Sequence, residues 1–147
     1  MLKQFLWTIA LTAATVALHM VYSFYAIRAM RKQHVRIIPH LGEVPHRLFL
    51  LVCSVVLLLL LHCVETTLWA LYYIKSGSLT DFATALYFSM LSYATIGYGD
   101  VVLPVQERLV GVMEGMVGTM MAGWSVALIV ATLQATATGG RHTNHTP

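Results

Sequence analysis

The stretch ATIGYGDVV, residues 94–102, lies between two strongly apolar parts of the chain. It has two glycines two positions apart, followed at once by Asp100, and this composition does not favour a regular helix. Inside a membrane, irregular backbone is tolerated only where it is buried in protein or lines a water-filled path. The surroundings of this segment therefore decide how the rest of the chain must fold.

The composition indicates a membrane protein. Of the 147 residues, 58% are hydrophobic and 10% are charged, and the mean hydropathy is +0.72. Three apolar runs occupy most of the length, at residues 5–27, 48–74 and 105–133. The first run covers about 34 Å as a helix, which is enough to cross a bilayer core of about 30 Å. We therefore predict an all-α membrane protein with three transmembrane helices.

A signal peptide is the alternative interpretation of the first run, because Lys3 precedes it. The run is longer than the apolar core of a signal peptide, which has about 7–15 residues. It is also followed by the basic residues Arg28, Arg31 and Lys32. These features favour a retained N-terminal transmembrane helix at residues 1–27.

The distribution of basic residues predicts the orientation. Five of the nine Lys and Arg residues lie in the link at 28–47, and the positive-inside rule places this link in the cytoplasm. The N-terminus is then outside. The net charge of +3 is concentrated beside lipid headgroups, so membrane lipid rather than nucleic acid is the expected partner. The tail at 135–147, rich in Thr, Gly and His, is predicted to be disordered and cytoplasmic.

The residues before the quoted stretch predict a short helix. Ser or Thr caps, with Asp81 in the first turn, begin an apolar run at about 81–93 that is too short to span a membrane. We interpret it as a re-entrant helix that enters from outside. Gly97 and Gly99 can adopt positive φ, so that successive carbonyl oxygens can face one axis. The side chains of Ile96 and Tyr98 would then point away into packing.

The sequence TIGYGD, preceded by ALYFSMLSYA, resembles the selectivity filter of potassium channels. The resemblance extends over residues 48–134, with an outer helix at 48–74, the pore helix, the filter and an inner helix at about 105–134. This region is similar to the small two-helix pore modules of bacterial ion channels. The similarity implies that the protein lies in a bacterial inner membrane. Because one chain supplies one filter, the resemblance also implies a homotetramer.

The resemblance implies the chemistry of the filter as well. Its carbonyls would bind dehydrated potassium ions, with no organic cofactor. Asp100 would form a negative ring at the outer mouth. The filter residues assigned in this way are Thr95, Ile96, Gly97, Tyr98, Gly99 and Asp100, and the first four are the expected potassium ligands.

The residues expected to hold the filter in place differ from the family pattern. Some members have a glutamate four residues before the filter threonine, where it bonds to the filter aspartate, and Leu91 occupies that position here. Asp100 therefore needs another partner. We predict that Tyr87 donates to it.

Two carboxylates within the apolar spans each need a partner or a proton. Glu114 is predicted to accept hydrogen bonds from Ser92 or Tyr93 behind the pore helix. Glu65, with His62 one turn before it, is predicted to support the filter from the outer helix. The alternative is that both carboxylates have a packing role only.

The inner helix is rich in glycine, which allows close helix contacts. Matching residues 107–110 onto the family pattern places the gating hinge at Gly118. The same match places the inner constriction near Val126, Val130 and Gln134.

Other functions have less support. The chain has no HExxH sequence, nucleophile elbow or phosphate loop, so we do not predict an enzyme. His40, Glu43 and His46 are spaced by three, but Gly42 and Pro45 are expected to break the helix that a metal site would need. The alternative function is a non-conducting membrane subunit that assembles with or regulates another channel.

Overall fold

The computed structural model describes residues 2–33 and 43–138. Within them the chain forms four α-helices and one short 3-10 helix, and no strand. The elements are α1 (Leu2–Gln33), α2 (Glu43–Ser76), α3 (Phe82–Tyr93), the 3-10 helix Val105–Glu107 and α4 (Arg108–Thr138). Of these, α1, α2 and α4 contain stretches long and apolar enough to cross a membrane. The predicted fold class, all-α with an additional N-terminal helix, is confirmed.

The long helices extend beyond the predicted boundaries. Helix α1 continues to Gln33 and α2 begins at Glu43, so both reach into the predicted link. Helix α4 continues to Thr138, so residues 135–138 are helical rather than part of a disordered tail. Adding a residue to an existing helix is easier than starting one, which explains helical ends in polar sequence. The remainder of the link and of the tail lies outside the described residues.

The start of α2 corrects one expectation. Pro45 lies in the first turn of this helix and does not interrupt it. A proline is tolerated there because the first N–H groups of a helix have no intrahelical acceptor. The candidate metal site of His40, Glu43 and His46 includes His40, which lies outside the described residues.

Helices α2, α3 and α4 pack around a common core, and α1 lies against α2 and α4. Helix α3 buries one face, formed by Ala85, Ser89 and Tyr93 at four-residue spacing. Helix α1 is antiparallel to α2, since Lys75 lies 5.0 Å from the ring centre of Trp7. The N-terminal end of α1 therefore lies on the same side as the C-terminal end of α2 and the turn that precedes α3.

Helix α1 buries polar side chains and exposes apolar ones. Its buried polar side chains are Thr8, Thr15, His19 and Ser23, of which Thr15 and His19 are fully buried. Large apolar residues of the same helix, such as Phe5 and Phe24, are exposed. Because lipid favours apolar surface, this arrangement places the polar face of α1 against the rest of the protein.

Candidate functional site

The short helix α3 positions the glycine-containing segment. Asp81 is its N-cap, and the Asp81 side chain accepts a hydrogen bond of 3.0 Å from the backbone N–H of Thr84. The cap is thus the aspartate itself, not the predicted Ser or Thr. Hydrogen bonds from Thr84 hold the pKa of Asp81 below its usual value. The helix ends at Tyr93, and the irregular backbone begins directly after it.

The backbone of the segment alternates in handedness. The φ angle is positive at Thr95 (58°), Gly97 (50°) and Gly99 (79°), and it is not positive at Ile96 or Tyr98. The prediction for the two glycines is confirmed. Positive φ at Thr95 was not predicted, because a β-branched residue rarely adopts it and the strain is of order 1–3 kcal/mol. Such strain persists only where the surrounding contacts fix the backbone.

The fixing contacts come from the last turn of α3. The N–H of Ile96 donates to the Leu91 carbonyl at 2.8 Å, and the N–H of Thr95 donates to the Ser92 carbonyl at 3.0 Å. Leu91, which lacks the carboxylate that some family members have there, thus supports the segment through its backbone. Ser92 does the same.

Tyr87 and Asp100 connect the other end of the segment to α3. The Tyr87 hydroxyl donates to Asp100 Oδ2 at 2.8 Å, so the predicted hydrogen bond is present. Both residues are exposed in the single chain.

We expect Tyr87→Phe to weaken the outer end of the segment, because it removes this single hydrogen bond. One such bond contributes about 0.5–1.5 kcal/mol, or more when the acceptor is charged. The measurement is the thermal midpoint of the purified protein, with Tyr25→Phe as the control, because Tyr25 is an exposed tyrosine of α1. Equal midpoints for the two variants would contradict a supporting role for Tyr87.

The side chains of Ile96 and Tyr98 do not pack within the single chain. They are 52% and 73% exposed, respectively. The expected packing is therefore absent inside one protomer. Nothing in residues 2–33 and 43–138 covers them.

Glu114 is fully buried between α2, α3 and α4. The Tyr73 hydroxyl donates to its Oε2 at 2.7 Å, and the Ser89 hydroxyl donates to its Oε1. The prediction of Ser92 or Tyr93 as partners is wrong. The reason is the rotation of α3, which turns the face containing Ser89 towards Glu114.

Glu65 lies at the centre of a second buried cluster. Its carboxylate is 3.0 Å from His19 Nδ1, 2.9 Å from His62 Nδ1, and 2.7 Å from the Tyr93 hydroxyl, which donates to it. His62, one turn before Glu65, is thus in contact with it, and Glu65 accepts a hydrogen bond from the last residue of α3. Ser125 of α4 lies beside both imidazoles. We call these five residues the Glu65 cluster.

His19 was not among the predicted site residues. It is the member of the Glu65 cluster that α1 supplies, and it is fully buried. An ionisable residue in the middle of an apolar span is a signal of function in its own right, and this signal was available in the sequence.

Comparison with known protein families decides the class of the molecule. A family profile described as "Ion channel" matches residues 49–135, more than half of the chain. The chain belongs to this ion-channel family. Neither a comparison with curated proteins nor one with solved structures gave a match. The matched region of this ion channel includes most of α2, all of α3, the glycine-containing segment and most of α4, whereas α1 lies outside it.

The predicted hinge glycine of the ion channel has a packing role. A Cβ atom placed on Gly118 would lie 2.1 Å from the Tyr93 carbonyl oxygen, so the absence of a side chain lets α4 touch the end of α3. Helix α4 is continuous through this position. Val126 and Val130, assigned to the inner constriction, are 59% and 43% exposed in the single subunit.

We expect Glu114→Ala to destabilise the ion channel more than Glu114→Gln. Alanine leaves the Tyr73 hydroxyl without this acceptor, at a cost of about 1–3 kcal/mol, and creates a cavity. Ser89 keeps the Thr66 carbonyl at 2.8 Å as another acceptor. Glutamine retains a side-chain carbonyl that can accept the hydrogen bond from Tyr73, and it places no charge in the membrane interior. Thermal unfolding in detergent compares the two variants, and equal midpoints would show that the hydrogen bonds at Glu114 contribute little.

Proposed function

We propose that this chain is the subunit of a homotetrameric, potassium-selective channel that conducts K⁺ passively across the membrane. The proposal rests on the backbone of the TIGYGD segment, where positive φ occurs at every second residue directly after the end of α3. Alternating handedness turns successive peptide planes so that their carbonyls can face one side. Rings of such carbonyls replace the hydration shell of K⁺.

The electrostatics of the segment support a cation as the permeant ion. The C-terminal end of α3, with its partial negative charge, is adjacent to Thr95. At the other end, Asp100 adds a negative charge at the mouth, where it raises the local cation concentration. Thr95, Ile96, Gly97 and Tyr98 supply the potassium ligands in this proposal.

Three features of the single subunit favour assembly around an axis. Each chain has one filter segment, which can form only one wall of a pore. The side chains of Ile96 and Tyr98 are exposed, and an open groove of about 530 Å³ between α3, the filter segment and α4 reaches from Leu91 to Thr119. Three further copies in closed cyclic symmetry cover these surfaces. Val126 and Val130 then line the inner part of the pore.

The proposed orientation follows from the antiparallel helices. Gln4 donates to Glu107 at 3.1 Å, so the N-terminus of α1 lies at the filter end of the subunit. The end of α1 at Gln33 and the start of α2 at Glu43, which flank the basic link, lie at the opposite end. With that link in the cytoplasm, the filter opens to the outside and the C-terminus is cytoplasmic, and we place the channel in a bacterial plasma membrane.

Ion uptake into liposomes tests the proposal. Purified protein is reconstituted in vesicles loaded with potassium, and uptake of ⁸⁶Rb⁺ and of ²²Na⁺ is compared under the same gradient. We expect Rb⁺ uptake that Ba²⁺ blocks, and little Na⁺ uptake. Equal uptake of both ions would overturn selectivity. No uptake by an intact tetramer would favour the alternative, a non-conducting subunit of another channel.

A further inference from the structure

Three common metal ligands converge behind the filter segment. The ligand atoms of His19, His62 and Glu65 all lie within 4.8 Å of one another. Glu65 presents Oε1 to His19 and Oε2 to His62. The side chains of His19 and Glu65 are fully buried, whereas that of His62 is 22% exposed in the single chain.

When both imidazoles are neutral, the Glu65 cluster has one nitrogen acceptor more than it has protons to donate. A neutral imidazole has a single N–H, and both Nδ1 atoms face the Glu65 carboxylate. Both Nε2 atoms then act as acceptors, at 3.0 Å (His62) and 3.4 Å (His19) from Ser125 Oγ. Ser125 has one hydroxyl proton and can donate to only one of them. One more cation in the cluster removes this shortage.

A metal ion on the two Nδ1 atoms fits this arrangement. Each imidazole would then have its proton on Nε2, and both could donate to the two lone pairs of Ser125 Oγ. The Tyr93 hydroxyl would continue to hold Glu65 Oε2. Metal-binding histidines almost always donate their second ring N–H to an oxygen of a carboxylate, a backbone carbonyl or a water, which fixes the orientation of the ring. The Ser125 hydroxyl oxygen would take this place here.

We propose that His19, His62 and Glu65 bind one divalent transition-metal ion, of the zinc class, in each subunit. Two imidazoles and one carboxylate, with a fourth position open, form a common zinc ligand set. Tetrahedral ligands about 2.0–2.1 Å from zinc are about 3.3 Å apart. The Nδ1 to oxygen separations, 3.0 Å to Oε1 for His19 and 2.9 Å to Oε2 for His62, are a few tenths of an ångström shorter than this, and the three ligand atoms all lie within 4.8 Å of one another.

The site joins α1 to the rest of the channel. His19 is supplied by a helix outside the family match, whereas His62 and Glu65 are within it. Tyr93, which is bonded to Glu65, ends α3 two residues before Thr95. Metal binding therefore holds α1 against the bundle and fixes the end of the helix that supports the filter segment. The binding does not depend on which ion the channel conducts.

Zinc binding by the full-length protein tests the site. The background variant replaces the five other histidines with glutamine, at positions 34, 40, 46, 142 and 145. After treatment with EDTA, reloading with Zn²⁺ and desalting, we expect one zinc per subunit by elemental analysis. His19→Gln and His62→Gln in this background should each lose it. Cys63→Ser is the matched control, because Cys63 is next to His62 but exposed, and it should keep one zinc per subunit.

A second variant covers the case in which a histidine variant does not fold. Ser125→Ala keeps all three ligands and removes the partner of both Nε2 atoms, so we expect zinc affinity to fall about 10–100-fold. When Co²⁺ replaces Zn²⁺, we expect an absorption spectrum typical of nitrogen and oxygen ligands, without the charge-transfer band of a thiolate ligand. The proposal is overturned if the background variant holds no zinc, if binding survives both histidine substitutions, or if Ser125→Ala leaves the affinity unchanged.

Discussion

Replacing Gly99 with alanine is expected to abolish ion conduction and leave the subunits assembled. Gly99 has φ of +79°, where a Cβ atom is strained by roughly 1–2 kcal/mol. A Cβ atom placed on Gly99 would meet nothing within 4 Å among the described residues beyond its neighbours along the chain, so within one subunit the effect comes from the backbone and not from a clash. Relaxing the strain is expected to rotate a peptide plane of the proposed filter and to move a carbonyl away from the proposed pore axis.

Gly77→Ala is the matched control for this experiment. Gly77 has φ of +74° and also has no atom within 4 Å of a Cβ, but it lies in the turn between α2 and α3. Both variants therefore experience similar backbone strain. Rb⁺ uptake should be lost in Gly99→Ala and retained in Gly77→Ala, with the same oligomer size by light scattering. Wild-type uptake by Gly99→Ala would contradict the assignment of the filter.

Gly118→Ala is expected to have the largest effect on stability. The added Cβ would lie 2.1 Å from the carbonyl oxygen of Tyr93 and 2.9 Å from its Cα, and these backbone atoms cannot rotate away as a flexible side chain can. Overpacking of this kind typically costs about 1–3 kcal/mol, and a backbone clash is at the upper end or beyond. The end of α3 must then separate from α4, which disturbs the start of the filter segment.

Gly123→Ala provides the comparison on the same helix. A Cβ at Gly123 has no atom within 4 Å, and alanine is favoured over glycine in a helix by about 1 kcal/mol. We expect the thermal midpoint to fall in Gly118→Ala and to stay level or rise in Gly123→Ala. A Gly118→Ala protein of normal stability with altered gating would instead support the hinge prediction and contradict the packing role.

The sequence was sufficient where local patterns determine the structure. The bounds of α3 agree with the prediction to within one residue, because a cap and a short apolar run define a helix that cannot span. Positive φ at Gly97 and Gly99 follows from the lack of a Cβ. The bond between Tyr87 and Asp100 was also predicted, since it joins the two ends of one short segment.

The errors arose where the relative rotation of helices decides the contacts. Glu114 was expected to accept hydrogen bonds from Ser92 or Tyr93, yet it accepts them from Tyr73 and Ser89, and Tyr93 donates to Glu65 instead. The packing of α3 between α2 and α4 determines these partners. The contact between His19 and Glu65 depends on where α1 docks, which its apolar composition does not reveal. Thr95 departs from the rule for β-branched residues because hydrogen bonds from the end of α3 hold the segment.

The reversal potential of a single reconstituted channel tests the central claim most directly. With equal concentrations of K⁺ on one side and Na⁺ on the other, current through a potassium-selective filter reverses far from zero. A tenfold preference corresponds to about 1.4 kcal/mol, or about 60 mV for a monovalent ion. We predict a reversal potential of at least about 60 mV, with the sign of potassium selectivity. A reversal potential near zero would contradict the assignment of residues 95–100 as a potassium filter.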